Sequence, residues 1–156
     1  MDLSQFDLWK QLMDEALLQA RRAGELGEVP VGAVLVDEQG RTVCQAHNES
    51  LTLSDPTGHA EILALRRGAK TIKNYRLSGM VLVCTLEPCI MCLGALVQAR
   101  VSGLVFGASD PKAGAISSRL DCWQDLDWLN HRFWTLPGIR EQRSKDLLQS
   151  FFHSRR

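Results

Sequence analysis

Apolar residues recur along the chain with two different periods. Between residues 7 and 24 they recur every third or fourth position, which predicts an amphipathic helix that Gly24 and Gly27 bring to an end. The run 31–36 is instead short, apolar and rich in valine, and a turn signal separates it from residues 41–46. Two such runs around a turn predict an antiparallel hairpin.

The rest of the chain alternates between helix and strand patterns. Further helices are predicted at about 59–69, 88–100 and 140–154, and further strands at about 80–84, 104–106 and 132–135. Strands that alternate with helices indicate an α/β layer architecture. The hairpin near the start makes the predicted sheet mixed rather than wholly parallel. Residues 109–130 have no clear period.

Length and composition are those of a globular protein. The chain has 156 residues, which fits a single domain over 1–156, and 45% of them are hydrophobic. No apolar run approaches the ~18 residues of a membrane span, so no membrane partner is expected. The first residues lack the pattern of a signal peptide, and we therefore expect a cytoplasmic location.

The cysteine content favours metal or reduced thiols over disulfides. The number of cysteines is odd, and no export signal accompanies them. They stand at positions Cys44, Cys84, Cys89, Cys92 and Cys122.

Two short motifs carry candidate chemistry. The first is His59-Ala-Glu61, and the second is Pro88-Cys-Ile-Met-Cys92. Cys89 and Cys92 are three residues apart, so both thiols project from one face of the predicted helix. The start of a helix favours the thiolate form, and Pro88 suits a first helical turn.

Together these residues predict a catalytic zinc site. His59, Cys89 and Cys92 supply three ligands, which leaves the fourth tetrahedral position for water. Bound zinc lowers the pKa of that water from 15.7 to about 7. Glu61 lies two residues after the histidine, where it can move protons without binding the metal. A His-x-Glu motif followed by Pro-Cys-x-x-Cys is the known signature of zinc deaminases, so the sequence predicts a hydrolytic deaminase with one zinc per subunit.

Other interpretations of the same residues remain open at this point. A Cys-x-x-Cys pair also occurs in redox proteins, but these do not require a preceding His-x-Glu. A closed structural zinc site would recruit Cys84 or Cys122 as a fourth ligand. Cys84 falls within an apolar run, which favours a buried core position. A zinc-stabilised binding module without turnover is the alternative from another functional class.

The similarity of this chain to one family of zinc deaminases extends well beyond the zinc motifs. It covers residues 28–36, 47–48, 55–61, 74–77, 85–95, 105–108, 110–115, 130–131 and 151–156. Over nearly its whole length the chain resembles the bacterial tRNA-specific adenosine deaminases, which convert the wobble adenosine of an anticodon to inosine. The segments 74–77, 110–115 and 151–156 are more specific to the tRNA enzymes than the zinc motifs, which all cytidine-deaminase-like proteins share.

This resemblance implies a fold, partners and substrate contacts. It implies a three-layer α/β/α fold with a five-stranded mixed sheet, and a homodimer in which both subunits shape the site for a tRNA anticodon stem-loop. Asn48 matches the asparagine that holds the flipped nucleoside. Asp110 and Lys112 match positions near the ribose and the anticodon backbone. Arg155 or Arg156 would lie near a phosphate.

One segment departs from the family pattern. The family usually has a His-Pro pair before Asn130, whereas residues 121–129 here contain Trp123 and Trp128 and no such pair. The two tryptophans could stack on bases. The interpretation that we favour places them against the core or at the dimer contact.

The C-terminal segment also has two interpretations. Residues 132–156 hold six Lys/Arg and two Asp/Glu, which is typical of a solvated helix but also of a phosphate-binding patch. Its stripe of Leu147 and Phe151 favours core packing over base stacking. A guanine, cytidine or dCMP deaminase would keep the same zinc chemistry without needing a basic tail, and it is the alternative to a tRNA enzyme.

Overall fold

Four helices and five strands make up the described part of the chain, residues 3–121 and 123–155, in this computed structural model. The elements are α1 (Leu3–Glu25), β1 (Gly32–Val36), β2 (Thr42–His47), α2 (Ala60–Ile72), β3 (Val81–Leu86), α3 (Ile90–Ala99), β4 (Gly103–Ala108), β5 (Trp134–Leu136) and α4 (Glu141–His153), with a 3-10 turn at Trp123–Asp125.

The strands form one mixed sheet in the order β2-β1-β3-β4-β5. Strand β1 is antiparallel to both β2 and β3, while β3, β4 and β5 are parallel to one another. The hairpin of β1 and β2 was predicted from the sequence, and so was the mixed sheet. Both predictions are confirmed.

Helices cover both faces of this sheet. Side chains alternate along each strand, so Leu35 of β1 and Leu82 of β3 pack in one apolar cluster with α2 and α3. Their neighbours Val34 and Val83 pack in a second cluster with α1 and with Leu147 of α4. The two clusters on opposite faces give the expected three layers, α/β/α.

Helix α1 lies unusually close to the sheet. A Cβ atom at Gly32 of β1 would lie 2.0 Å from the carbonyl oxygen of Ala16 and 2.6 Å from the amide nitrogen of Ala20. Only a residue without a side chain permits this approach.

Within residues 3–121 and 123–155, no helix is both long and apolar enough to cross a membrane.

Helix α3 starts later than the sequence predicts, at Ile90 and not at Pro88, whereas α2 starts within one residue of the predicted position, at Ala60. His59 and Cys89 are the capping residues just before the two helices, and both have extended backbone conformations. Pro88 therefore precedes the cap, and its predicted place in the first helical turn is wrong. The reason is tertiary: the carbonyl of Pro88 accepts a hydrogen bond from the amide of Ala115 (2.8 Å), which keeps the chain extended to that point.

The segment between β4 and β5 is ordered by side chains. The guanidinium of Arg132 donates to the carbonyl oxygens of three loop residues, Gln124, Leu126 and Leu129. Arg132 was predicted to lie in the last strand, but this strand starts at Trp134 because Arg132 closes the loop instead.

The two tryptophans of this segment have different environments. Trp123 is 1% exposed, and its ring centroid lies 4.6 Å from that of Phe133. Trp128 is 73% exposed. Trp123 therefore packs against the core, as we favoured, whereas Trp128 does not. Cys122, which precedes Trp123 in the sequence, lies outside the described residues.

Candidate metal centre and catalytic pocket

The starts of α2 and α3 bring three candidate ligands together. The Nδ1 atom of His59 lies 3.7 Å from the Sγ atom of Cys89 and 3.6 Å from that of Cys92. The two sulfur atoms are 3.7 Å apart. Among the described residues, this is the group of His, Cys, Asp and Glu side chains able to hold a metal ion.

These distances fit a tetrahedral zinc ion. With Zn–S bonds of about 2.3 Å and Zn–N bonds of about 2.0–2.1 Å, the edges of the tetrahedron are about 3.8 Å between two sulfurs and about 3.6 Å between sulfur and nitrogen. The three observed distances lie within about 0.1 Å of these values. The arrangement is therefore one face of a zinc tetrahedron, with a fourth corner available for a non-protein ligand.

Cys84 does not belong to this group. It is fully buried, and its thiol donates a hydrogen bond to the carbonyl oxygen of Leu86 (3.2 Å). Burial and the nearby Glu61 carboxylate raise the pKa of Cys84 well above its ordinary value. Cys84 is thus a core thiol, as its apolar surroundings in the sequence predicted. Cys122, the other candidate for a fourth ligand, lies outside the described residues.

The two sulfur ligands form a coupled pair. A hydrogen bond from Cys92 lowers the pKa of Cys89 to about 3 against the opposing effect of burial, and His59 lowers it further. The same hydrogen bond, together with burial, raises the pKa of Cys92. Without a metal the pair thus shares one proton, which metal binding would release.

Glu61 lies beside these ligands in the first turn of α2. Its side chain is buried, at 4% exposure. Burial raises the pKa of Glu61 to about 7, and the His59 imidazole opposes this effect. A carboxyl group with a pKa near neutrality can both accept and donate a proton at physiological pH.

A cavity of about 230 Å³ opens beside the ligands. It is smaller than the ~300–1,000 Å³ of pockets for drug-sized ligands, which suits a single base-sized group. Its lining residues are Val29, Val31, Asn48, His59, Glu61, Leu86, Glu87, Cys89, Asp110 and Ala113.

Asn48 connects this cavity to α2. Its Oδ1 atom accepts a hydrogen bond from the amide of Ala60, the first residue of the helix (2.8 Å). This contact fixes the carbonyl end of the carboxamide and leaves the Nδ2 amino group as its donor. The structure thus places Asn48 in the wall of the cavity, where the resemblance expects a nucleoside contact.

Asp110 and Lys112 lie along one continuous surface. Asp110 lines the cavity, and its Oδ1 atom accepts hydrogen bonds from the amides of Lys112 (2.9 Å) and Ala113 (3.3 Å). Lys112 lies outside the cavity, in a groove of about 690 Å³ that shares Asp110 with it and is also lined by Lys145 and Phe152. An extended ligand can therefore reach from the cavity into the groove.

Arg155 is separate from this surface. Its guanidinium donates to the carbonyl oxygen of Gly27 (2.8 Å) and lies 4.2 Å from the ring centroid of Phe151. It lines neither the cavity nor the groove. Arg156 lies outside the described residues. The stripe of Leu147 and Phe151 on α4 is divided, since Leu147 packs against the core while the ring of Phe151 contacts Arg155 and Phe152.

Glu87 is a cavity residue that no sequence motif singled out. This carboxylate is 2% exposed and lines the cavity. Burial raises its pKa, but hydrogen bonds from Ser118, Ser117 and Asp110 outweigh burial and lower it overall. The sequence does contain one indication of its importance. Glu87 is a charged residue between an apolar strand and the Pro-Cys pair, where an unpaired charge is unusual.

Known proteins share both sequence and fold with the chain. Residues 8–108 match the family of the cytidine and deoxycytidylate deaminase zinc-binding region. A tRNA-specific adenosine deaminase of Haemophilus influenzae is 48% identical over 153 residues, which cover 98% of this chain and 87% of that protein. A structure solved in a study of A-to-I editing by tRNA:A34 deaminases at the wobble position of transfer RNA is 40% identical, with a TM-score of 0.85, over 88% of this chain and 99% of that one.

A more distant structure shares the fold alone. The guanine deaminase of Nitrosomonas europaea is 21% identical, with a TM-score of 0.79, over 91% of this chain and 83% of that one. The three-layer fold therefore carries more than one deaminase specificity, and the substrate must be argued from the site.

Proposed function

The chain belongs to the family of tRNA-specific adenosine deaminases, and on this premise we propose that it hydrolyses the wobble adenosine of a tRNA anticodon to inosine. It is a zinc-dependent hydrolytic deaminase with one zinc per subunit, built as a single domain. The observation that carries the proposal is the His59, Cys89 and Cys92 group beside buried Glu61, in a cavity that opens onto a long groove.

The residues of the cavity have two different roles in the reaction, metal binding and proton transfer. His59, Cys89 and Cys92 would hold the zinc ion, which would make a bound water molecule acidic enough to attack at neutral pH. Glu61 accepts a proton from this water and donates it to the ring nitrogen next to the reacting carbon. It then takes the remaining proton from the hydroxyl group added to this carbon and transfers it to the amino group, which leaves as ammonia while the carbonyl of inosine forms. Water and adenosine thus give inosine and ammonia.

The cavity and the groove suit a single-stranded loop of RNA rather than a duplex. The amino-bearing carbon is inaccessible in a stacked and paired base, and a single-stranded loop lowers the cost of extruding it. Asn48 holds the extruded base through its free amino group, while Asp110 contacts the ribose. Lys112 lies in the groove where the anticodon backbone continues, and Arg155, outside the groove, contacts a phosphate further along the RNA.

Replacement of Glu61 tests the proposed reaction. We expect the wild-type protein to form inosine in an anticodon stem-loop, and Glu61→Gln to lose activity by about 10²–10⁴-fold while it keeps its zinc, because Glu61 is not a ligand. Inosine is read by sequencing, and zinc by elemental analysis. Glu25→Gln, at the exposed end of α1, serves as the control.

Two outcomes would contradict this proposal. Full activity of Glu61→Gln would favour a binding module without turnover. Deamination of free guanine or cytidine with the stem-loop left unchanged would favour a small-substrate deaminase, for which the groove has no role.

A homodimer completes the proposal. A groove of about 430 Å³ runs between α2 and α3 and is lined mainly by apolar side chains, among them Ile62, Leu65, Met91 and Ala95. Arg66 is its one charged lining residue, so two copies can meet there with little repulsion between like charges. Tyr75, which also lines it, is 70% exposed. We place a second copy of the chain on this groove, and the dimer in the cytoplasm with its tRNA.

A further inference from the structure

Glu87 lies between β3 and the first sulfur ligand, and its carboxylate accepts hydrogen bonds from residues 110–118. Its backbone amide donates to the carbonyl oxygen of Ala108 (2.8 Å), which extends the parallel pairing of β3 and β4 by one residue. Its side chain points into residues 109–118, which we call the substrate loop because Asp110 and Ala113 line the cavity.

The substrate loop surrounds this carboxylate with donors. Oε1 accepts hydrogen bonds from the amides of Ile116 (3.1 Å), Ser117 (2.7 Å) and Ser118 (2.9 Å). Oε2 accepts one from the amide of Asp110 (2.9 Å) and one from the hydroxyl of Ser118. Among the described residues, no cationic side chain pairs with Glu87, so the loop itself compensates the buried charge.

The loop closes tightly on the carboxylate. A Cβ atom at Gly114 would lie 2.3 Å from Oε2 of Glu87 and 2.7 Å from the carbonyl oxygen of Asp110. Gly114 also forms a bridge with Cys89, and Ala115 donates to the carbonyl of Pro88 (2.8 Å). The substrate loop therefore contacts both the carboxylate of Glu87 and, through its own backbone, the segment that carries a sulfur ligand.

We propose that Glu87 is a positioning residue, whose carboxylate fixes Asp110 and Ala113 at the correct distance from the metal centre. The inference rests on the proposed function, since it assigns Glu87 a role in holding the substrate of that reaction. Glu87 does not move protons in it, because both of its oxygens are occupied by the loop. Loss of the contact therefore weakens substrate binding and leaves metal binding unchanged.

Glu87→Gln tests the two carboxylate oxygens separately, because it replaces only one of them by an NH₂ group. The amide keeps the shape of the side chain, and its one carbonyl oxygen satisfies most donors at the Oε1 position, opposite Ile116, Ser117 and Ser118. The NH₂ group then faces the amide of Asp110, and two donors cannot bond to each other. We expect KM for the anticodon stem-loop to rise about tenfold or more, with kcat reduced less than about threefold and zinc content unchanged.

Hydrogen exchange gives a readout that is independent of activity. In Glu87→Gln the amide of Asp110 should exchange at least about tenfold faster, whereas the amides of Ile116 and Ser117 keep their protection. Gly114→Ala disturbs the same carboxylate from the opposite side and should raise KM in the same way.

A core variant supplies the matched control. Leu12→Ala removes a buried side chain of α1, on the other face of the sheet, and lowers stability without touching the substrate loop. The proposal is overturned if Leu12→Ala raises KM as much as Glu87→Gln does, or if Glu87→Gln keeps the wild-type KM. If the wild-type protein leaves the stem-loop unchanged, the proposed function is wrong. Hydrogen exchange tests the positioning role separately: unaltered exchange at the amide of Asp110 in Glu87→Gln overturns it.

Discussion

Asn48 combines an observed structural contact with the substrate contact that we propose for the same side chain. Its Oδ1 atom holds the amide of Ala60, and only its amino group remains for a ligand. Asn48→Asp keeps the acceptor and removes the donor, so we expect α2 to stay in place while kcat/KM for the stem-loop falls by about 10²-fold or more, because a buried polar contact is lost. Steady-state kinetics and a melting curve measure both effects.

Asn48→Ala is the comparison for this prediction. It removes the acceptor as well, so it should lower the melting temperature, which Asn48→Asp should leave nearly unchanged. Wild-type kcat/KM in Asn48→Asp would remove Asn48 from the set of substrate contacts.

The buried, hydrogen-bonded position of Glu28 predicts that this residue contributes to stability in a pH-dependent way. It is 2% exposed and accepts hydrogen bonds from the amide (2.7 Å) and hydroxyl (3.0 Å) of Thr52. Burial raises its pKa, but the hydrogen bonds from Thr52 and Leu51 outweigh burial, and the pKa in the folded state lies below the ordinary 4.5. The ionised form is therefore the one that the fold stabilises.

The sign of the pH dependence follows from that lowered pKa. The contribution of Glu28 is complete above pH of about 4.5 and is lost as the pH falls through the folded-state value. We expect Glu28→Gln to lower the free energy of unfolding at pH 7 by on the order of 1 kcal/mol, and the difference from wild type to shrink toward pH 3.5. Urea unfolding at both pH values measures it. A difference that grows in acid would contradict the assignment.

The zinc motifs could be found from the sequence, whereas Glu87 could not. His59, Glu61, Cys89 and Cys92 have a chemistry and a spacing that are both local and recognisable. The partners of Glu87 lie 23 to 31 residues further along the chain, in a segment without any periodic pattern. Its role depends on backbone amides of the loop, which no side-chain pattern records.

At the scale of elements, the segment between β4 and β5 makes a direct prediction about its two tryptophans. Trp123 is buried against Phe133, so Trp123→Ala should lower the free energy of unfolding by about 3–5 kcal/mol. Trp128→Ala removes an exposed ring and should change it by less than about 0.5 kcal/mol. Chemical denaturation of both variants measures the two effects, and equal losses would show that Trp128 also packs against the protein.

The elements themselves were predicted unevenly. Strands β1, β3 and β4 are buried apolar runs, and their cores were located correctly, as was the amphipathic helix α1. The start of α2 was also located correctly, whereas α3 starts two residues later than predicted, because a hydrogen bond from Ala115 keeps Pro88 in an extended conformation. Strand β5 has only three residues, and its start depends on Arg132, which contacts carbonyl groups instead of joining the sheet.

At the scale of the whole molecule, the deaminase chemistry and the fold family were predicted and are confirmed by the relatives. The order β2-β1-β3-β4-β5 could not be predicted from the sequence, because strand order depends on contacts between distant segments. The homodimer and the individual substrate contacts stay predictions.

The proposed dimer can be tested on the groove between α2 and α3. Ala95 lines this groove, so Ala95→Arg would bury a charge in the interface and should shift the protein from dimer to monomer. Sedimentation equilibrium measures the shift. Gln11→Arg adds the same charge on exposed α1, in the opposite layer, and should leave the mass unchanged. A monomeric wild-type protein at micromolar concentration would contradict the dimer.

The metal centre joins two parts of the chain that are distant in sequence. His59 follows the β1–β2 hairpin, whereas Cys89 follows β3, which inserts between β1 and β4. During synthesis on the ribosome, the histidine thus emerges some thirty residues before its partners and has no complete site to enter. All three ligands are present once the start of α3 has been synthesised, before β4 and β5 exist, so the metal site can assemble around β3 before the last two strands complete the sheet.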